Sequence, residues 1–471
     1  MIGAPRVPAV WVGGRRHASN VVEATALDWL EQIDRVASGS PGAVAVALPG
    51  DEAGVALFAA MTARPGWFVL LPPDARVWDR LGIPASTQVI LPPGLRDLAE
   101  QAGRIGLRST VLESRATGPA DAGALPLFQN DGVVLFTSGS TGAPKPVYRT
   151  TRALLAGVIA RLSALELQPG DGLVAGVALG HGHGLTRLLS AMCLGGPFAL
   201  LAPLDHRAAL AVLAQPEFAF WSATAHFADV LGRCRLTGPA RVPRICLLSS
   251  PVAASVRAAF LERFGVPLRQ NYSSTETGVV ATDWGAPEEV CGDTVGRPLH
   301  GVEVRVGDAP DDPRPAGEVG RIWVRSPWQM EGYGFPPQLE RPWHAGGWLP
   351  TRDLGAVRAD GRIALAGRLD DCIRTREGRL VNLESIAERL RGVDGIDDAA
   401  VVPLAGASGA SFGAILVCAA AHALADVRSR VAEGLPEWAW PRAVVQAPAL
   451  PRLPSGKLDR QRCIAMLQEG S

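Results

Sequence analysis

Lysine is almost missing from this chain of 471 residues. Only Lys145 and Lys457 occur among 46 basic residues, the other 44 being arginine. Tyrosine is nearly as scarce, at Tyr148, Tyr272 and Tyr333. Abundant alanine, glycine and arginine make GC-rich codon usage the plain explanation, with arginine standing in wherever charge suffices. A residue type so nearly purged marks places where its replacement is not tolerated, and the two lysines are therefore the first candidates for chemistry. Net charge is lacking too, since 46 acidic residues balance 46 basic ones. A pI near 7.1 leaves no electrostatic footprint for nucleic acid or an anionic membrane. The seven cysteines form no C-x-x-C pair. An odd, scattered set fits reduced thiols better than a disulfide framework or a zinc site. The apolar run Met192–Leu204 is too short for a bilayer and is broken by Gly195, Gly196, Pro197 and Pro203. Met1–Ser19 has no continuous apolar segment of the signal-peptide kind. The expectation is a cytoplasmic protein with no membrane insertion and no nucleic-acid partner.

What is present is an ample core-forming content, 47% apolar, over a length that suggests two or three domains. Between about residues 20 and 260, short apolar runs such as Val44–Leu48, Trp67–Leu71, Val133–Phe136, Leu173–Val177 and Ile245–Leu248 read as buried strands. Ala/Leu-rich stretches between them, including Glu52–Thr62, Arg152–Leu165 and Ala208–Ala214, read as helices. That alternation implies a parallel α/β core with more than one sheet. Past residue 290 short strands with turn signals read as a β-rich subdomain. The last hundred or so residues read as a small α+β domain, with Leu383, Ile386 and Leu390 at helical spacing. The expected fold is an α/β domain with a β-rich subdomain, over 1–367, and a mobile α+β domain over 368–471.

Val133–Phe136 runs directly into Thr137-Ser138-Gly139-Ser140-Thr141-Gly142-Ala143-Pro144-Lys145. Four hydroxyls and two glycines closed by a lysine suit a polyphosphate, because glycine lets backbone N–H groups approach an anion and hydroxyls donate to it. The spacing is not Walker A: no Gly-Lys-Ser/Thr occurs, and Pro144 and Pro146 discourage a helix start.

This segment resembles the signature loop of the adenylate-forming superfamily, which includes acyl-CoA synthetases, nonribosomal adenylation domains and luciferases. The resemblance extends along most of the chain. It implies that Thr137, Ser138, Gly139, Ser140, Thr141, Gly142 and Lys145 hold the outgoing phosphates of ATP. Pro146, where glycine is usual, should stiffen the loop's exit. Asn271-Tyr272-Ser273-Ser274-Thr275-Glu276-Thr277-Gly278 is similar to the aromatic-Gly-Ser-Thr-Glu motif. By that resemblance Tyr272 lies against adenine, Thr275 bonds the α-phosphate and Glu276 ligates Mg²⁺. The chemistry agrees, because a carboxylate attacking a phosphate needs a cation to neutralise charge. Gly347-Trp348-Leu349-Pro350-Thr351-Arg352-Asp353 resembles the ribose-binding motif, with Asp353 on the diol. Gly367-Arg368-Leu369-Asp370-Asp371 resembles the hinge motif, with Arg368 near ribose and phosphate and Asp370 the pivot. Leu453-Pro454-Ser455-Gly456-Lys457-Leu458-Asp459-Arg460 matches the motif whose lysine bridges substrate carboxylate and α-phosphate. A compact ammonium can follow charge through that displacement where a guanidinium fork cannot.

Leu179-Gly180-His181-Gly182-His183-Gly184-Leu185 places His181 where relatives shape the acid-binding wall. His183 reads as structural or pocket-lining, since no third metal ligand is evident. Leu185-Thr186-Arg187-Leu188 offers no aspartate for a substrate ammonium, which disfavours an α-amino acid. The remaining wall, from Trp221–His226, Ser249–Val252 and Tyr272, is mostly small and apolar and suits an aryl or alkyl acid; Trp221 is equally a core residue. The implied activity is formation of an acyl-adenylate, with Lys457, Thr275, Glu276 and His181 as its catalytic residues. Transfer to the phosphopantetheine thiol of CoA or of a carrier protein would follow. No Asp-Ser-Leu-like attachment site is present, so the carrier is expected to be a separate chain. An extra residue near Glu377, and Ser385 and Ala387 where glutamates are common, keep two alternatives open. One is adenylation alone or with another acceptor; the other is a non-catalytic nucleotide- or acyl-binding protein.

Overall fold

The computed structural model describes all residues except 1–3, 38–42, 117, 122, 138–143, 202–205, 224, 234–240, 249–253, 291, 375–379, 394, 405–410, 419–439, 453–457 and 470–471. The chain divides into two compact units. The first comprises Met1–Arg305, Trp323–Pro350 and Val357–Ala364, and the second Val306–Ile322, Thr351–Ala356 and Leu365–Ser471.

Two large sheets organise the first unit. In one of nine strands, the parallel centre runs Leu268–Ser274, Ile245–Leu248, Phe218–Ala223, Gly172–Ala175, Phe198–Leu200 and Val10–Val12. In the other, of eight strands, Arg108–Val111, Gln88–Leu91, Val44–Val46, Trp67–Leu70 and Gly132–Phe136 are parallel. Both gain antiparallel edges, Gly278–Thr282 on the first and the pair Pro146–Thr150 and Gly332–Phe335 on the second. These strands read as continuous apolar runs because both faces are buried. Leu173, Ala175 and Phe220 join one core cluster with Val133 and Leu135, while Val174, Trp221 and Cys246 point to a second. The helix Glu52–Thr62 is buried from Gly54 to Thr62, which explains its apolar sequence on every face. Each fully buried Leu, Phe or Val contributes about 1.5–3 kcal/mol.

A five-stranded sheet follows, in the order Asp312–Pro313, Glu303–Ala309, Gly320–Arg325, Leu349–Val357, Ile363–Arg368. The C-terminal α+β part pairs Ile396–Leu404 antiparallel with Ser411–Cys418, which runs parallel to Ala443–Gln446. Its helix Leu383–Arg391 buries Leu383, Ile386, Ala387 and Leu390, and Asn382 caps it by accepting Glu384 N–H at 2.9 Å. Sequence pattern and structure agree closely here.

Two elements escape the apolar pattern. Val10–Val12 is only three residues long, and three residues carry no periodicity; tertiary pairing with Phe198–Leu200 makes it a strand. Pro146–Thr150 opens on proline, tolerated because it is the first residue of the strand. Among the described residues no helix is long and apolar enough to cross a membrane.

Candidate active site

The loop read from sequence as phosphate-binding is the connection of an antiparallel hairpin, Gly132–Phe136 with Pro146–Thr150. Its neck is tied by Thr137 N–H to the Lys145 carbonyl at 3.0 Å and by Lys145 N–H to Thr137 Oγ1 at 3.1 Å. Ser138, Gly139, Ser140, Thr141 and Gly142 lie outside the described residues. On the other side of Pro146–Thr150 the strand Gly332–Phe335 sets Tyr333 opposite Val147. Lys145 Nζ lies 5.1 Å from the Tyr333 ring centre, within cation–π range. The Tyr333 hydroxyl in turn donates to Glu276 Oε1 at 3.2 Å. Met330 N–H donates to the Glu276 carbonyl at 2.7 Å. Segments far apart in sequence thus bring an ammonium, a phenol and a carboxylate into one contact chain.

Thr275 and Glu276 occupy the tip of the hairpin Leu268–Ser274 and Gly278–Thr282, half-buried. Ser274 Oγ accepts Thr277 N–H at 3.0 Å and lies 2.9 Å from Thr277 Oγ1, closing the turn. Gly278 follows at φ +70°, where a Cβ would stand 2.7 Å from Arg149 Nη2 and 2.8 Å from the Trp328 ring, so only glycine fits. Arg149 is 4% exposed and donates through Nη2 to the Trp328 carbonyl at 2.6 Å. Burial pulls its pKa down to about 10, and the Glu276 carboxylate opposes that shift, so the guanidinium stays charged at neutral pH. Tyr272 is buried, mid-strand and opposite Ala281. Among the described residues no three His, Cys, Asp or Glu side chains gather into a metal cage. The Glu276 carboxylate, with one oxygen held by Tyr333, fits Mg²⁺ in the way usual for that ion, which takes its other ligands from phosphates and water.

In the second unit Asp353 and Arg368 are brought together, Arg368 Nη1 lying 3.2 Å from Asp353 Oδ1. They project from Leu349–Val357 and Ile363–Arg368, and the arginine is the more exposed partner. Arg352 is exposed. Arg460 of the C-terminal motif forms an ion pair with Asp371, the last residue of the segment read as the hinge. Lys457 and Glu377, and the side chain of Asp370, lie outside the described residues.

His181 precedes the helix Gly182–Leu194 as its N-cap residue and is half-buried. Gly184 is required by a close approach: a Cβ there would stand 2.0 Å from the Ala178 carbonyl oxygen. His183 Nε2 lies 2.9 Å from Ser222 Oγ. Trp221 is wholly buried, stacked on Phe260 at 5.9 Å and edge-on to Phe227 at 5.8 Å, so it belongs to the core. Its neighbour Ser222 faces the opposite way, as alternation along a strand demands. Sequence reading does not single out Ser222, Arg149 or the Glu276 bond of Tyr333; only the scarcity of tyrosine pointed to the last.

The sequence profile of the AMP-binding enzyme family matches residues 121–334, which include the phosphate loop, the Glu276 hairpin and Tyr333. Residues 121–334 are thus an AMP-binding segment of the kind found in the adenylate-forming superfamily. Members of this superfamily use ATP to activate an acid as its acyl-adenylate. The 2-succinylbenzoate–CoA ligase of Enterococcus faecalis is 26% identical over 70% of this chain and 68% of its own. The solved structure of ATP-bound MatB from Rhodopseudomonas palustris is 21% identical and superposes with a TM-score of 0.80, over 99% of this chain and 96% of that one. The amide bond synthetase McbA from Marinactinospora thermotolerans is 25% identical with a TM-score of 0.80, over 98% of this chain and 97% of its own. The superfamily architecture, a large α/β domain with a β-rich subdomain and a smaller α+β C-terminal domain, is the one found here.

Proposed function

We propose that this chain is an acid–thiol ligase acting in two half-reactions. In the first, an aryl or alkyl carboxylate attacks the α-phosphorus of ATP, the bond to pyrophosphate breaks, and an acyl-adenylate forms. In the second, the thiol of CoA or of a separate phosphopantetheinyl carrier protein attacks the acyl carbon and AMP leaves. The observation that supports this reading is the contact chain Lys145–Tyr333–Glu276, which holds a cation and a carboxylate beside the hairpin that carries the Ser/Thr/Gly loop. Mg²⁺ bound at Glu276 would neutralise charge on the phosphates. Lys145 and the loop hydroxyls would hold the leaving pyrophosphate, and Thr275 the α-phosphate. Tyr272 would lie against adenine, and Asp353 with Arg368 would read the ribose. His181 would line the acid's wall, and Lys457 would bridge carboxylate and α-phosphate. The domain 368–471 would then turn about Asp370, withdrawing Lys457 and admitting the thiol while water is excluded.

Acid-dependent ATP–pyrophosphate exchange tests the first half-reaction; absence of exchange across a broad acid panel would favour a non-catalytic binder. A second reading, with an amine as acceptor, is favoured by the likeness to an amide bond synthetase over nearly the whole chain. Product analysis with CoA, holo-carrier and amines separates the two: a clean thioester supports the thiol, an amide the amine.

A further inference from the structure

The acid wall read from sequence is small and apolar, yet the structure puts positive charge behind it. Arg187, on the helix Gly182–Leu194, is 1% exposed. Its Nε donates to Ser222 Oγ at 2.9 Å and its guanidinium lies 5.3 Å from the Phe220 ring centre. Its Nη1 has no hydrogen-bond partner. A second arginine, Arg161, is 2% exposed; its Nη2 donates to the Thr186 carbonyl at 3.2 Å and Ser190 Oγ at 2.8 Å, while its Nε has no partner. Among the described residues no carboxylate pairs with either arginine. Burial pulls the pKa of Arg187 well below the usual arginine range, and repulsion by Arg161 adds to the shift.

A buried charge without a counter-ion is strongly unfavourable, and an apolar side chain of similar volume would pack such a site at lower free energy. Arginine persists here in a helix otherwise lined inward by Leu185, Leu188 and Leu189. What it faces is informative. The Ser222 hydroxyl that receives Arg187 also lies 2.9 Å from His183 Nε2, and His183 is half-buried on the opening turn after His181. The guanidinium therefore stands one hydroxyl behind the segment read as the acid-binding wall. That end of the helix also carries the positive pole of its dipole.

We propose that Arg187, aided by Ser222 and His183, is the counter-charge for a second anionic group on the substrate acid, a carboxylate or sulfonate distal to the carboxylate that is activated. The inference rests on the adenylation reading above and narrows its acid from a plain aryl or alkyl acid to a dianionic one. With the distal anion in place, the unpartnered N–H of Arg187 is satisfied and the buried charge compensated.

The test is ATP–pyrophosphate exchange by the full chain on matched acid pairs that differ at one end: pentanoate against glutarate, 4-methylbenzoate against terephthalate, butyrate against 3-sulfopropionate. The expected result is a kcat/KM higher for the dianion in at least one pair by about 10- to 100-fold, the ratio a charge-assisted hydrogen bond supplies. Arg187→Met should bring that ratio near unity, with Arg187→Lys between, while thermal melts report that both variants fold. Exchange with the monoacids equal to or better than with the dianions in every pair overturns the role of Arg187 and leaves adenylation standing. A dianion preference that survives in Arg187→Met overturns it equally. Exchange with no acid of either kind overturns the adenylation reading and this inference with it.

Discussion

At the residue scale, Glu276 accepts from the Tyr333 hydroxyl with one carboxylate oxygen. Tyr333→Phe keeps the ring under Lys145 and removes the hydroxyl that bonds Glu276. The loss of one such bond, about 0.5–1.5 kcal/mol, should lower kcat/KM for MgATP about 2- to 10-fold and raise the Mg²⁺ concentration needed for half-maximal exchange. Tyr333→Leu removes the ring as well and should cost more; equal activity of wild type and Tyr333→Phe across a magnesium titration would refute the positioning role. Lys457→Arg keeps charge but not the compact ammonium. Pyrophosphate exchange should fall by about 100-fold or more, the size seen when one donor to a developing charge is lost. Thiolysis of preformed acyl-adenylate should survive. Retained exchange would mean that Lys457 does not bridge the reacting groups.

At the element scale the site depends on close approaches that only glycine allows. Gly184→Ala would drive a Cβ into the Ala178 carbonyl and displace the opening turn that carries His181 and His183. Acid KM should rise more than the KM for ATP, measured by exchange at saturating partner substrate. A loss confined to ATP would argue that His181 does not line the acid site. The hairpin of the phosphate loop leads straight into the helix Thr151–Ala164, whose N-cap Thr150 accepts Ala153 N–H at 3.2 Å. Thr150→Ala should destabilise the chain by about 1 kcal/mol in chemical denaturation, with little change in exchange at 25 °C. Both hairpin and turn were legible as motifs in sequence, because each motif is local. That Tyr333 bridges them was not, since it lies 57 positions from Glu276 and is brought there only by the pairing of Gly332–Phe335 with Pro146–Thr150.

At the scale of the whole molecule, three of the described cysteines serve as packing. The five described ones are free, and Cys193, Cys246 and Cys463 are buried. Burial pushes the Cys193 and Cys463 thiols up to about 11. The sign is plain: a raised thiol pKa keeps the neutral form at pH 8, where only about a thousandth would be thiolate. A thiol reagent such as DTNB should therefore label these two at least about 100-fold more slowly in the native protein than in guanidinium chloride, read by peptide mass mapping. Rapid native labelling of Cys193 would show that its helix opens. Glu276 belongs to the first compact unit, and Asp353 and Arg368 belong to the second.

The amino-acid sequence by itself determined the α/β class, the buried strands, and the motifs centred on Lys145, Glu276, Asp353 and Lys457, because each is written in contiguous residues with a local period or spacing. Its composition also singled out the two lysines. The tertiary structure alone decided that Trp221 is core, that Tyr333 ties Lys145 to Glu276, and that Arg187 is buried without a carboxylate. Burial and partnership are properties of strands and helices meeting across long sequence separations. An arginine in an apolar helix looks like a solvated charge until the opposing strand, with Ser222 and Phe220, is in place.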